Sequence, residues 1–204
     1  MTAAPARRTQ AQRRGETIGA LVNATIEAIA EVGYHRTSLG EVCQRSGISK
    51  GGLFRHFASR LDLVMATAEE VCRRHFAAFD AFSAGDRPLE TIDLLRFART
   101  ESRDPANSVL FELLVAARTE PDLRERLNPV LVALYDSIEA RAIAAFAGQG
   151  IPDDTIRLFA TSALHMFDGE SIFRHTYPRT ELEEQRLAAT ASMLDAVRKA
   201  AGPR

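Results

Sequence analysis

The chain has 204 residues, of which 46% are hydrophobic and 26% are charged, and these ordinary globular values exclude wholesale disorder. Its 12 glycines and 8 prolines lie mostly between long stretches that lack both, which favours helices over a β sandwich or barrel. Basic and acidic residues nearly balance at 26 and 27, but residues 1–60 alone carry nine basic and four acidic side chains. This local excess predicts a small polyanion-binding segment joined to a larger acidic one.

The cysteines and the N-terminal arginines bear on the cellular compartment. Cys43 and Cys72 lie within apolar helical patterns, which predicts two buried, reduced thiols rather than redox or metal chemistry. Arg7 and Arg8 are similar to the start of an export signal, but acidic residues interrupt the apolar segment that would have to follow. No stretch reaches 18 uncharged apolar residues, so we expect a cytoplasmic protein without a membrane partner.

A basic arm and a first helix are predicted in residues 1–33. Residues 1–14 are expected to form a flexible basic arm, of the kind that in other proteins enters a minor groove. Apolar residues then recur at helical spacing from 17 to 32, and Gly33 follows them. This pattern predicts a first helix over 17–32.

A second helix is predicted from residue 39 to about residue 45. Ser38 and Glu41 have the spacing of a capping box, in which each side chain bonds the backbone amide of the other residue. Gly47 follows and supplies the left-handed backbone of a tight turn.

A third helix is predicted over 50–57, capped by Ser49. Two short helices joined by a Gly-containing turn, the second of them basic, form a helix-turn-helix. Gly51 and Gly52 in the first turn each cost about 1 kcal/mol relative to Ala, a liability that suits close approach to a DNA major groove. Leu53 and Phe57 are expected to pack inward, and Lys50, Phe54 and Arg55 to point outward.

This segment resembles the DNA-binding motif of TetR-family (tetracycline-repressor-like) transcriptional regulators. The resemblance is carried by residues 37–63, TSLGEVCQRSGISKGGLFRHFASRLDL, and extends over roughly 15–65. Beyond it, the chain is similar to the family only in being a helical region of the right length. The stretch from Gly47 to Gly52 lacks the preceding strand and the spacing of a phosphate-binding loop.

The resemblance implies which side chains meet DNA. Thr37 and Ser49 occupy positions that contact phosphates, as do His56 and Arg60, the latter where Lys is usual. Lys50 lies at a base-contacting position from which lysine reaches a guanine edge, and Gly51 permits close approach. Tyr is usual in place of Phe54, so the ring is kept and a hydroxyl bond is lost. The expected DNA-binding set is Thr37, Ser38, Ser49, Lys50, Gly51, Phe54, Arg55, His56 and Arg60.

Three members of this set have alternative interpretations that involve no DNA. Arg55 is equally well explained as a solvated charge, Phe54 as a half-buried core ring, and His56 as a surface histidine without a role.

Six further helices are predicted beyond residue 59. Their expected ranges are about 60–82, 89–101, 105–118, 121–148, 152–175 and 180–200. The last two, predicted helices 8 and 9, carry more apolar residues than one core face requires, and the resemblance implies a homodimer through them. Burial of both faces within one subunit is the alternative. The residues concerned are Phe159, Ala163, Met166, Phe167, Ile172, Leu187, Ala191, Leu194 and Val197, with Ala160 and Gly169 as small residues that permit close approach.

The C-terminal helices are also expected to hold a small-molecule effector, with apolar lining and a few polar groups. Such a stripe is more often simply core. The candidate ligand-binding residues are Phe97, Phe111, Glu112, Leu114, Leu131, Tyr135, Phe159, His165 and Asp168. His165 and Asp168 lie one turn apart with His175 beyond them, which is too few ligands to predict a metal, and no cofactor is predicted.

These patterns together predict an all-α protein of about nine helices. A three-helix helix-turn-helix DNA-binding domain over 15–60 precedes a larger helical ligand-binding and dimerisation domain over 61–204. The expected function is a ligand-responsive transcriptional repressor that binds a palindromic operator in double-stranded DNA as a dimer and is released by an apolar or amphipathic effector. A helical adaptor, or a helical enzyme with an unrecognised site, is the alternative.

Overall fold

A computed structural model describes residues 9–84 and 89–201, and these residues form nine α-helices and one short 3-10 helix without a strand. The predicted all-α class is therefore confirmed. The helices are α1 (Gln10–Val32), α2 (Leu39–Ser46), α3 (Lys50–Leu53), α4 (Arg60–Ser83), α5 (Thr91–Ser102), the 3-10 helix (Pro105–Asn107), α6 (Ser108–Ala116), α7 (Pro121–Ala145), α8 (Asp153–Phe173) and α9 (Thr180–Ala201).

The chain divides into two compact units. Unit 1 comprises the chain up to Val71 together with Ser108–Leu127, and unit 2 comprises Cys72–Asn107 and the chain from Asn128. Unit 1 is larger than the predicted 15–60 domain because α1 packs against α6 as well as α2. Helices α4 and α7 each continue from one unit into the other.

Helix α1 begins at Gln10, seven residues before the predicted start. Thr9 and Gln12 form a reciprocal capping box, in which the Thr9 hydroxyl accepts from the Gln12 amide at 3.2 Å and the Gln12 side chain accepts from the Thr9 amide at 2.8 Å. Residues 10–14 of the predicted flexible arm are therefore helical, and that part of the prediction is wrong. Residues 1–8 lie outside the described residues.

Helix α2 and its turn form as predicted, with one change in the cap. Ser38 accepts from the Glu41 amide at 3.1 Å, and Gly47 has the left-handed φ of 71°. The Glu41 carboxylate, however, accepts from Arg45 at 2.8 Å, and Arg45 also donates to Glu31 of α1 at 2.7 Å. The second half of the predicted capping box is thus replaced by an ion pair that links α1 to α2.

Helix α3 is shorter than predicted and ends at Leu53. The amides of Arg55 and His56 bond the carbonyls three residues earlier, at 3.3 and 2.9 Å, so the predicted segment closes as a tightened turn. Two glycines in a four-residue helix explain the early end, because Gly has low helix propensity. Leu53 and Phe57 are buried as predicted.

Unit 2 buries most of the apolar residues that were assigned to a dimer. Phe167, Leu187 and Ala191 pack with Leu95 of α5, while Leu194 packs in a second cluster with Phe146. The prediction that these buried residues exceed what one core face requires is wrong. Helix α5 packs against both α8 and α9 and covers their apolar faces.

The remaining elements differ from prediction only near their ends. The predicted start at Pro105 is a 3-10 turn before α6, α7 ends at Ala145, and Pro129 lies within α7. Within the described residues neither cysteine forms a disulfide, and Cys72 is buried whereas Cys43 is half-buried. No helix in the described ranges is long and apolar enough to cross a membrane.

Candidate functional site

The link between α1 and α2 is held in place by Arg60, the first residue of α4. Its guanidinium donates to the carbonyls of Tyr34 at 2.6 Å and Thr37 at 3.4 Å. The same group lies 4.2 Å from the centroid of the Tyr34 ring, a cation–π contact. Arg60 therefore bonds its own chain, which differs from the phosphate contact that the resemblance implied.

Helix α6 and the turn that follows it also hold this link. Glu112 accepts from the Tyr34 amide at 2.9 Å, and the Tyr34 hydroxyl donates to Glu120 at 3.1 Å. Gly33 has a φ of 82°, and a Cβ there would lie 3.0 Å from the Glu112 carboxylate. Gly33 is thus required both by its backbone conformation and by the close approach of Glu112.

The start of α4 is fixed by charge and capping. The Ser59 hydroxyl accepts from the Asp62 amide at 3.1 Å, and Arg126 of α7 donates to Asp62 at 2.6 Å. The guanidinium of Arg126, with the Ser59 hydroxyl, holds the pKa of the Asp62 carboxyl below its usual value. Within unit 1, α6 and α7 therefore fix the elements on both sides of the helix-turn-helix.

Arg60→Ala is expected to destabilise unit 1 and to weaken DNA binding for all sequences alike. Its hydrogen bonds to the carbonyls of Tyr34 and Thr37 are lost, and bonds of this charged type contribute about 1.5–3 kcal/mol. A melting curve and an anisotropy titration at several salt concentrations measure both effects. We expect an unchanged salt dependence, whereas a log-log slope shallower by about one would assign Arg60 to a phosphate.

An exposed surface is formed by Lys50, Gly51, Phe54 and Arg55, which we call the recognition surface. Lys50 and Arg55 form no ion pair within the described ranges. Residues 42–61 contain four basic residues and no acidic one, so no carboxylate is close to them in sequence. Phe54 is 45% exposed, so a large part of its side chain is accessible. The surface therefore presents two unpaired cations beside an aromatic ring.

The two glycines of α3 have different reasons to be glycine. A Cβ at Gly52 would lie 2.9 Å from Cγ2 of Ile48 and 3.3 Å from Oγ of Ser49. A Cβ at Gly51 would meet no atom of the described residues within 4 Å, apart from its chain neighbours and its own helix backbone. The fold thus requires glycine at position 52, whereas at position 51 it leaves room for a larger residue.

Of the other predicted DNA-binding residues, some cap helices at the surface and others are partly or fully buried within unit 1. Ser38 and Ser49 are exposed N-caps, and the Ser49 hydroxyl accepts from the Gly52 amide at 3.1 Å. Thr37 is buried, and its hydroxyl donates to the Gly33 carbonyl at 2.9 Å, a different role from the predicted phosphate contact. Nδ1 of His56 is buried without a hydrogen-bond partner in the described part of the chain.

Known proteins share this arrangement. A family model described as bacterial regulatory proteins, tetR family, matches residues 21–67. An uncharacterised HTH-type transcriptional regulator of Mycobacterium tuberculosis is 40% identical over 192 residues, which cover 93% of this chain and 98% of that protein. The chain belongs to the TetR family of bacterial regulatory proteins. It is a DNA-binding transcriptional regulator, and α2 and α3 are its helix-turn-helix.

More distant matches extend over nearly the whole TetR-family chain. The HTH-type transcriptional regulator CymR of Pseudomonas putida is 27% identical over 199 residues, covering 90% of this chain and 97% of CymR. A crystal structure of a transcriptional regulator from Rhodococcus sp. RHA1 superposes with a TM-score of 0.68 at 21% identity, covering 86% of this chain and 94% of that one. The latter match supports the fold.

The predicted ligand-binding residues of this TetR-family chain are divided between the two units. Phe111, Glu112 and Leu114 belong to unit 1, where Leu114 is exposed and Glu112 bonds Tyr34. The other six lie in unit 2, namely Phe97, Leu131, Tyr135, Phe159, His165 and Asp168. In unit 2 the hydroxyl of Tyr135 lies 2.9 Å from Nε2 of His165.

Aromatic and polar side chains meet between α4 and α5 in unit 2. Phe97 stacks on Phe82 with centroids 4.6 Å apart and meets Phe79 edge-on at 5.7 Å. One turn away, Nδ1 of His75 lies 2.8 Å from Glu101, and its Nε2 lies 3.2 Å from Oδ1 of Asn107. Sequence reasoning missed His75, Glu101 and Asn107, because their contact joins residues 26 and 32 positions apart.

With one exception, the large apolar residues that α8 and α9 expose are not those predicted for the dimer. Leu158, Ile172 and Phe173 of α8 and Met193 of α9 are all more than half exposed. A Cβ at Gly169 of α8 would meet no atom of the described residues within 4 Å, apart from its chain neighbours and its own helix backbone. Of the apolar residues predicted for the interface, Ile172 alone is among these exposed large hydrophobics of the described chain.

Proposed function

We propose that this TetR-family regulator is a repressor that binds a palindromic operator as a homodimer and is released by a small-molecule effector. The recognition surface carries the DNA-binding half of the proposal. Lys50 and Arg55 have no acidic partners in the described ranges. At Gly51 a Cβ would clash with none of the described residues, so the backbone is open to close approach. A lysine at the start of a helix that enters the major groove reaches the acceptor edge of guanine.

The exposed apolar face of α8 and α9 supports a dimer. Leu158, Gly169 and Ile172 recur at helical spacing along one side of α8, and Met193 is exposed on α9. Large apolar side chains that stay exposed beside a glycine suit close packing of a second helix. A two-fold pair would present two recognition surfaces to two half-sites, at least one DNA turn apart.

The proposed release acts through a two-state equilibrium of the dimer. An effector that binds better to a state with altered spacing of the recognition surfaces lowers operator affinity, typically by about 5- to 150-fold. Helices α4 and α7 are the continuous elements that pass from unit 1 into unit 2, and Pro129 interrupts the backbone bonding of α7 close to that passage. We place this regulation in the cytoplasm.

Footprinting of the purified full chain on genomic DNA tests the proposal. The expected result is protection of an inverted repeat by a species that sedimentation shows to be a dimer, and loss of protection when a small-molecule cell extract is added. Protection of a single half-site by a monomer would contradict the dimer, and protection unchanged by any extract fraction would contradict effector release.

A further inference from the structure

Every polar group of Tyr34 is bonded from outside the link between α1 and α2, residues 33–38. Its amide donates to the carboxylate of Glu112 at 2.9 Å, and its hydroxyl donates to Glu120 at 3.1 Å. Its carbonyl accepts from Arg60 at 2.6 Å. Tyr34 is only 3% exposed. This one residue therefore joins the link to α4 and to α6 with the turn after it, all within unit 1.

The hydroxyl of Tyr34 is a hydrogen-bond donor at neutral pH. Burial raises the pKa of Tyr34, and the carboxylate of Glu120 adds to this rise, whereas the guanidinium of Arg60 opposes it. The proton therefore stays on the phenol and is donated to Glu120. The ring itself is covered by the guanidinium of Arg60, which lies 4.2 Å from its centroid.

The carboxylate of Glu112 forms no ion pair within the described ranges, and it accepts from the neutral amide of Tyr34. A negative charge in a unit that binds DNA is repelled by the phosphates, so it lowers affinity unless it has another role. The carboxylate is closely fitted to the link, since a Cβ at Gly33 would lie 3.0 Å from its Oε2. The hydrogen bond to the link is therefore the contribution of Glu112 to unit 1.

The link that these side chains hold leads into the helix-turn-helix. Thr37 is buried, and its hydroxyl donates to the carbonyl of Gly33 while its own carbonyl accepts from Arg60. Ser38 follows and caps α2. Helix α2 packs against α3, which carries Lys50 of the recognition surface. A displaced link would therefore displace the start of α2, and with it the recognition surface.

We propose that Glu112 and Glu120 are positioning residues for DNA binding, which hold the link in its DNA-binding conformation without touching DNA themselves. Glu112 acts on the backbone of Tyr34, and Glu120 acts on its hydroxyl. Both lie outside residues 21–67, which the family model matches. The proposal requires that the chain binds DNA, and it does not depend on a dimer, an operator or an effector.

Two substitutions of Glu112 remove the same charge but differ in the hydrogen bond. In Glu112→Gln an amide oxygen still accepts from Tyr34, so DNA affinity is expected to equal or exceed that of the unaltered chain, because a negative charge is removed. In Glu112→Ala the acceptor is lost, and affinity for random duplex is expected to fall about threefold or more. Anisotropy titrations of the full chain at about 50 mM salt measure both affinities.

Glu125→Ala, at an exposed carboxylate of α7 in the same unit, is the matched control and is expected not to weaken DNA binding. Equal affinities for Glu112→Gln and Glu112→Ala overturn the proposal, since charge alone then accounts for both. Circular dichroism at the titration temperature gives the folded fraction of each variant. A loss of affinity that follows the unfolded fraction alone shows a purely structural role and also overturns the proposal.

Tyr34→Phe decides the matter if Glu112→Ala does not fold. It removes the hydroxyl bond to Glu120 and keeps the buried ring, and it is expected to weaken binding to random duplex about twofold or more. Adding it to Glu120→Ala is expected to cause little further loss, because the two groups share one hydrogen bond. Unchanged affinity in Tyr34→Phe, or additive losses in the double variant, overturns the proposal. Random duplex needs no operator, so failure of the proposed repressor function leaves this test intact.

Discussion

Lys50→Ala is expected to weaken binding to the operator by about 5- to 150-fold while leaving the affinity for random DNA nearly unchanged. Lys50 is exposed at the start of α3 and forms no ion pair in the described part of the chain, so its ammonium group is free to reach a base edge. Loss of a base contact typically costs about 1–3 kcal/mol and relaxes the preference at one base position. Anisotropy titrations with operator and scrambled duplexes measure both affinities.

The chain provides a matched control for this substitution. Lys199, the other lysine of the sequence, is exposed in the last turn of α9. Lys199→Ala removes the same charge and is expected to leave both affinities unchanged. An equal loss on operator and scrambled DNA for Lys50→Ala would show that Lys50 contacts phosphate and reads no base.

Gly51→Ala is expected to stabilise the free protein and to weaken its DNA complex. Gly51 lies within α3 without a left-handed φ, and a Cβ there would clash with none of the described residues, so Ala gains about 0.5–1 kcal/mol of helix stability. The added methyl group separates the backbone from the groove, which lowers operator affinity on the order of tenfold, or ~1.4 kcal/mol. Thermal unfolding is expected to show a higher melting temperature, and anisotropy titration is expected to show a lower affinity for the operator.

Two other glycines separate these effects. Gly19→Ala in α1 also adds a Cβ into open space and is expected to stabilise the protein without changing DNA binding. Gly52→Ala places its Cβ 2.9 Å from Ile48 and is expected to lower the melting temperature. Unchanged operator affinity in Gly51→Ala would show that the DNA backbone and bases do not approach α3 closely at this residue.

The helix-turn-helix was predictable because its signals are local. Ser38 caps α2, Gly47 has the left-handed conformation, and Leu53 and Phe57 are buried, as their residue types and spacing indicate. Each of these features depends on residues within one or two helical turns. A single sequence contains that information.

Other local features were present in the sequence but were interpreted wrongly. The capping box of Thr9 and Gln12 extends α1 into the predicted arm, and the low propensity of Gly51 and Gly52 shortens α3. The bond of Glu41 to Arg45 replaced the second half of the predicted capping box. In each case two local signals competed, and the sequence does not give their relative free energies.

The sites in unit 2 were the least predictable, because helical spacing shows that a face is apolar but not what covers it. Phe167 and Leu187 are covered by α5 of the same chain, whereas Leu158 and Phe173 stay exposed. Asp168 was a candidate from its helix face, whereas the contacts of His75 with Glu101 and Asn107 have no signal in the sequence until these elements pack together. Long-range packing therefore decides which polar residues become a site.

The salt dependence of operator binding by the unaltered chain tests most directly whether the recognition surface binds DNA as part of a dimer. Each phosphate neutralised contributes a log-log slope of about −0.9, so a dimer with about six phosphate contacts gives a slope near −5. We expect this steep loss of affinity between about 50 and 200 mM salt, together with a stoichiometry of two chains per duplex. A slope near zero, or one chain per duplex, would contradict the account.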